Sequence, residues 1–273
     1  MAYTIEQINI YPVKSLAGIA VQEAEALPKG FAHDRRWMLI DGEGAMMTQR
    51  QYPAMALIQP VIEGDTLRLL DRNNPANSIF FPLKAKEGEP LGAEVWDSAT
   101  QVLAPGGPAD QWLSDLLGVP ARLVYQPEAS PRPVDERYAR PDEHVSLADG
   151  FPYLLISQES LAHLNGRLDT PVPMDRFRPN IVVSGCEPHE EDRWESFTTE
   201  ALRFRVAKPC GRCVMTTVDQ EKGEFDGKEP LRTLSKYRRS GDRVDFGMNL
   251  LLDAPGMLKV RESINPDFSP TGE

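Results

Sequence analysis

The chain contains three cysteines, and two of them fall in one tetrapeptide, Cys210-Gly211-Arg212-Cys213. A C-x-x-C spacing is compatible with half of a zinc site, a thiol redox pair or two unrelated core cysteines. A zinc site needs two further ligands. Cys186 and His189 are available, but their spacing matches no strong zinc pattern. A thioredoxin-like pair should follow a strand and open a helix. Here the motif runs directly into Val214-Met215-Thr216-Thr217-Val218, a β-type stretch. Lys208 and Arg212 flank the cysteines, and nearby cations favour the thiolate, the form that binds metal or attacks an electrophile. A soft thiolate suits a soft or redox-active metal.

Three other clusters stand out because the chain as a whole is acidic, with a net charge of -11. Tyr11-Pro12-Val13-Lys14-Ser15 ends an apolar stretch with a cation and a hydroxyl. Asp34-Arg35-Arg36-Trp37 opens another with paired arginines, and Phe177-Arg178-Pro179-Asn180 precedes Ile181-Val182-Val183. Each puts Lys or Arg at a strand end, where side chains from distant segments can meet. The planar fork of arginine and the backbone amides near Ser15 suit a phosphate. Taken singly, each cluster also reads as a solvated strand end, so the functional reading depends on their convergence.

The elements that would position these residues are mostly strands. Proline and glycine number 24 and 20, and the apolar runs are short, which favours many short strands over long helices. Ile5, Ile8, Ile10 and Val13 mark a first strand, and Trp37 to Ile40 a second. Leu57 to Ile62 and Thr66 to Leu70 flank Glu63-Gly64-Asp65, a hairpin signal. Further strands are expected at Tyr153 to Ile156, Ile181 to Ser184, Leu202 to Val206, Val214 to Val218 and Leu258 to Val260. Helices are expected over Asp110 to Leu117, stopped by Gly118, over Gln158 to Leu168, capped by Ser157, and briefly after Pro230. Pro127, Pro131, Pro133 and Pro141 lie among charged residues and predict a long loop. The fold class is mainly β with a few short helices (α+β). A boundary near residue 120 divides the chain into domains 1–120 and 121–273.

The hydrophobic share of 41% over 273 residues is enough for a sizeable core without disulfides. The acidic balance argues against broad binding to nucleic acid or an anionic membrane. An odd, sparse cysteine count fits a reducing compartment. The N-terminal stretch carries Glu6 and has no long apolar run, so no signal peptide is expected, and no segment approaches a membrane-spanning length. A cytoplasmic location is the expectation.

Taken together, these residues resemble the MOSC family. The resemblance rests on Tyr11-Pro12-Val13-Lys14-Ser15, Asp34-Arg35-Arg36-Trp37, Phe177-Arg178-Pro179-Asn180-Ile181-Val182-Val183-Ser184-Gly185 and Arg212-Cys213-Val214-Met215-Thr216-Thr217-Val218-Asp219. Lys228-Glu229-Pro230-Leu231-Arg232-Thr233-Leu234 and Phe246-Gly247-Met248-Asn249 fit as well. The match spans nearly the whole chain, in order, and is to the two-domain type that includes the mitochondrial amidoxime reducing component and bacterial relatives. It implies a β-rich N-terminal domain packed on a MOSC β-barrel, with a molybdenum-molybdopterin cofactor between them. It implies that Cys213 is the thiolate ligand of the metal and the catalytic position. Lys14, Ser15, Arg35, Arg178 and Asn180 match positions that hold the pterin and its phosphate, and Gly211, Arg212 and Asn249 line the same site. Some relatives carry Ser at the position of Gly211 and Tyr at that of Asn249.

The activity so implied is two-electron reduction of a small N-hydroxylated or N-oxide-like substrate. The metal carries the chemistry, while the protein supplies ligation, orientation and electrostatics. Some bacterial relatives carry a fused plant-type ferredoxin domain, which needs four cysteines. Three cysteines do not supply that, so no iron-sulfur cluster is expected in this chain. Electrons would come from a separate donor protein, ferredoxin-like or flavin-reductase-like. His33 and Asp219 are proton-donor candidates by residue type alone, and a surface histidine and a turn residue describe them better. Two alternatives remain open from sequence. One is a sulfur or metal-sulfur carrier acting through a Cys213 persulfide, and the other is a dithiol redox protein using Cys210 and Cys213.

Overall fold

The computed structural model describes residues 2–268. Its largest sheet has nine strands and draws on both ends of the chain. The order is Ile19–Val21, Thr4–Ile10, Ile181–Ser184, Tyr153–Ser157, Arg243–Leu252, Arg203–Gly211, Trp194–Thr198 and Asn265–Phe268, with Arg239–Ser240 paired to one side of Arg243–Leu252. Among the described residues this path does not close on itself, so the expected barrel is barrel-like and open. Neighbouring strands are antiparallel except Tyr153–Ser157 and Ile181–Ser184, which run parallel. Helix Gln158–Asn165 lies in the crossover between those two, as a parallel pair requires.

The spacing of Ile5, Ile8 and Ile10 breaks strict alternation, yet all three are buried. A register shift between Ile5 and Gln7 explains this. One extra residue returns Ile8 and Ile10 to the core face. These residues join Tyr153, Leu155, Ile181, Val183, Phe204 and Leu250 in the main core. Strand Arg243–Leu252 can pass close to Leu155 because position 247 is glycine. Its φ is +79°, and a Cβ there would sit 2.6 Å from the Leu155 carbonyl oxygen.

The first half builds two smaller sheets. Trp37–Ile40, Arg122–Tyr125, Ser98–Ala104 and Glu89–Val95 form one, and the meander Ile58–Glu63, Thr66–Asp71 and Asn74–Pro82 forms the other. Helix Pro108–Leu117 closes their shared core through Ala109 and Leu113. It starts on proline and stops at Gly118 in the left-handed conformation. The sheets do not divide at residue 120. Strand Thr4–Ile10 belongs to the second half's sheet, and Arg122–Tyr125 belongs to the first half's.

The hairpin around Gly64, the Ser157 cap and the short helix Leu231–Tyr237 form where the sequence predicts them. Two expectations differ. The helix after Ser157 ends at Asn165, not at Leu168. Val214–Thr217 is a 3₁₀ turn, not a strand. There the Thr216 hydroxyl donates to the Cys213 carbonyl and the Thr217 hydroxyl to the Val214 carbonyl. Such back-bonding competes with a sheet ladder and tightens the chain into a turn.

Candidate functional site

The strand ends meet in a crevice between the two halves. Lys14, Ser15, Arg35, Arg178, Asn180, Arg212 and Asn249 all line it, from segments as much as 235 residues apart (249 minus 14). Three of them, Ser15, Arg35 and Arg178, have left-handed backbone with φ of 65°, 47° and 56°. Non-glycine residues rarely adopt that region, and when they do at one site the strain points to function.

Lys14 is buried and pairs with Asp149 at 2.5 Å. Burial lowers the Lys14 pKa more than Asp149 raises it. Asp149 stands at the crevice mouth, with its side chain largely open to solvent. Desolvation by its neighbours would raise its pKa, but the Lys14 ammonium outweighs that and holds the carboxylate below its usual range. Arg35 donates to Asp34 at 2.6 Å and to the Asn180 side-chain oxygen at 2.8 Å. Asn180 also accepts from the Leu154 amide and donates to the Asn9 carbonyl. Its amide is therefore committed to holding Arg35 and two strands in place.

Arg178 is different. Its side chain is buried, and among the described residues no carboxylate lies within ion-pair distance and no acceptor takes its N–H groups. It lies against the Tyr11 ring, 4.3 Å from the centroid, with Arg35 at 4.2 Å from the same ring. Desolvation brings its pKa down to about 10. Arg212 donates to the Phe246 and Phe177 carbonyls, which leaves its buried Nη2 without a partner. A buried cation without a counter-charge is costly, and here two guanidinium groups with free N–H capacity face one crevice. This donor set fits an anionic group that enters from outside.

The cysteines flank this crevice unequally. Cys210 lines it, while Cys213 is half-buried beside it, between the lining residues Arg212 and Met215. Burial raises the Cys210 pKa more than Arg212 lowers it, which disfavours the thiolate at this position. Gly211 is exposed at the strand end and does not line the crevice. Among the described residues no group of three His, Cys, Asp or Glu is placed to hold a metal. Cys186 instead donates to Glu159, and His189 pairs with His163. A tetrad of protein ligands for zinc is therefore not assembled. A cofactor that brings its own donors and needs one thiolate is compatible with Cys213.

Lys208 does not face the crevice. Its ammonium lies over Tyr138 and Phe151. Asp219 pairs with Arg176 and caps a turn through the amides of Glu221 and Lys222. His33 lines a separate cavity of about 920 Å³ under Phe80 and Phe81. Neither residue is placed to deliver a proton to the crevice. The residues missed by sequence reasoning are Asp149, Thr48, Arg50 and Trp96, which complete the mouth. Asp149 sits in the long loop and Trp96 on a hairpin turn, where no local pattern marks them.

Fold and site define a two-part β protein with a crevice at the junction of its halves, lined by lysine and arginine side chains and flanked by free cysteines. The chain belongs to the MOSC family. Residues 2–120 match the MOSC N-terminal beta barrel domain and residues 142–265 the MOSC domain. It is 35% identical to mitochondrial amidoxime-reducing component 1 of Homo sapiens, over 96% of this chain and 82% of that protein. It is 36% identical to mitochondrial amidoxime reducing component 2 of Bos taurus, over 96% and 82%. Among the described residues no helix is long and apolar enough to cross a membrane.

Proposed function

We propose that this protein is a molybdenum-cofactor-dependent reductase of N-hydroxylated compounds, supplied with electrons by a separate redox protein. The observation that carries this reading is the pair of guanidinium groups lining one crevice next to Cys213, buried Arg178 against the Tyr11 ring and half-buried Arg212 with its Nη2 unpartnered. The similarity to proteins named amidoxime reducing components supports the substrate class.

Lys14, Arg178 and Arg212 would pair with the anionic end of the cofactor, the Ser15 hydroxyl would add a hydrogen bond, and Asn180 would keep Arg35 in register. Cys213 would ligate the metal. When bound, the molybdenum centre supplies the two-electron reduction, in which the N-hydroxylated compound takes two electrons and two protons and yields the N–H product and water. The crevice encloses only about 100 Å³, below the roughly 300–1,000 Å³ of ordinary small-molecule sites. It would therefore hold only the phosphate-sized end of a ligand, leaving the rest to the open mouth. Among the described residues no histidine lines that mouth and its one carboxylate, Asp149, is paired with Lys14, so protons would arrive through solvent.

The test is anaerobic loss of an amidoxime or hydroxylamine. Isolated protein given NADH alone should show no turnover, because three cysteines do not hold a four-cysteine relay cluster. Reduced viologen should support turnover that disappears in Cys213→Ser. If metallated protein reduces nothing from a broad panel with any strong donor, yet accepts and passes sulfur at Cys213, a carrier role replaces this one.

A further inference from the structure

Trp96 is an unusual residue in an unusual place. It forms the two-residue turn Trp96-Asp97 between strands Glu89–Val95 and Ser98–Ala104, where Val95 pairs with Ser98. Its φ is +56°. Turns of this length are normally built from Asn-Gly or Asp-Gly, because those residues tolerate positive φ. A bulky aromatic there is strained, and 39% of it remains exposed to water.

The indole is nevertheless held in place. Its Nε1 donates to Asp149 Oδ1 at 3.0 Å, and the Arg50 guanidinium lies 4.0 Å from its centroid. Thr48, Arg50 and Trp96 line both the crevice and a second, open groove of about 870 Å³. The walls of that groove include Gly44, Ala45, Gly92, Ala93 and Ala99, small residues that leave room for a flat ligand. Among the described residues, two carboxylates, Glu43 and Glu94, line it against one cation, Arg50.

We infer that Trp96, oriented by Arg50 and Asp149, is the specificity platform on which a planar aromatic, uncharged or cationic N-hydroxylated substrate stacks. Its ring lies in the groove and its N-hydroxyl end points to the crevice. The crevice is too small to hold the substrate's bulk, and the Trp96–Arg50 pair is the wall common to both spaces. A rigid, partly exposed indole offers a π face at little entropic cost. The inference rests on the reductase reading for the identity of the substrate.

Two measurements test it. The first is intrinsic fluorescence: of the four tryptophans, Trp37 and Trp194 are buried, and half-buried Trp112 donates to Asn77 and does not line the groove. Benzamidoxime should quench part of the wild-type emission saturably, acetamidoxime should not, and the quench should vanish in Trp96→Phe. The second is kcat/KM per bound molybdenum. Trp96→Ala should lower the benzamidoxime-to-acetamidoxime ratio about five- to tenfold. Trp96→Phe should restore most of it, and Arg50→Ala should shift it in the same direction as Trp96→Ala. An unchanged ratio in Trp96→Ala, or quenching that survives in Trp96→Phe, overturns the inference while leaving the reductase reading intact. Saturable, Trp96-dependent quenching in a loaded protein that reduces neither amidoxime leaves the platform standing and removes the reductase.

Discussion

Arg178→Met should make the cofactor-free protein no less stable than wild type, and more stable at neutral pH, while stripping it of cofactor. The Arg178 side chain is 6% exposed and has no counter-ion among the described residues. Its pKa falls from the ordinary arginine value to about 10, mainly through desolvation, and the drop corresponds to about 3 kcal/mol against the charged form. The unfolded chain holds this proton to the ordinary, more alkaline arginine value, whereas the folded chain releases it near 10. Between those values the unfolded state carries more protons, so stability rises with pH across that window, and at neutral pH the full penalty is present. Methionine removes the penalty and keeps much of the apolar contact. It forfeits the contact with Tyr11, worth about 0.5–2 kcal/mol. The net is a gain of about 1–2 kcal/mol, visible as a rise of a few degrees in Tm of the cofactor-free protein. In the loaded protein the balance reverses. One charge-assisted contact contributes about 1.5–3 kcal/mol, so cofactor should be lost about ten to more than a hundred times faster. Thermal unfolding of the cofactor-free form and molybdenum retained after gel filtration measure the two effects. A variant that melts lower without cofactor, or that keeps its molybdenum as wild type does, refutes the reasoning.

Protein produced in a host with intact cofactor synthesis should carry about one molybdenum per chain. Cys213→Ser should lose metal and activity while Cys210→Ser keeps the greater part of both, and metal analysis that finds the two equally damaging would favour a dithiol. Asp149→Asn removes the carboxylate that raises the Lys14 pKa against burial. The Lys14 charge is present below its folded pKa and lost as pH rises through it, so cofactor retention should fail at a less alkaline pH in the variant. Retention curves that superimpose with wild type across pH 7 to about 10 would count against Lys14 as an anion partner. Gly247→Ala puts a Cβ 2.6 Å from the Leu155 carbonyl at a φ of +79°. It should cost at least about 1–3 kcal/mol, read from the urea midpoint, and a midpoint near that of wild type would mean that the strand can move aside.

Legibility in the sequence followed the range of the forces involved. Trp37–Ile40 and the hairpin around Gly64 were readable because alternation and turn residues act locally. The strand Glu89–Val95 (EPLGAEV) was not, because it has few apolar residues and is held by its neighbour Ser98–Ala104. The 3₁₀ turn after Cys213 carries β-type residues, and its threonine hydroxyls override that propensity. In the site, residues with conspicuous chemistry were readable as motifs, whereas Trp96 and Asp149 gain their roles only from backbone geometry and a distant partner. The same distinction explains where the site lies. Lys14 and Arg35 come from the first 40 residues, and Arg178 and Arg212 come from the second half of the chain. Strand Thr4–Ile10 inserts beside Ile181–Ser184 and brings the two sets together. The like charges gathered there oppose the packing that creates them. An anion bound among them removes that opposition and ties the halves together, stabilising the folded chain in proportion to the logarithm of its concentration over its Kd.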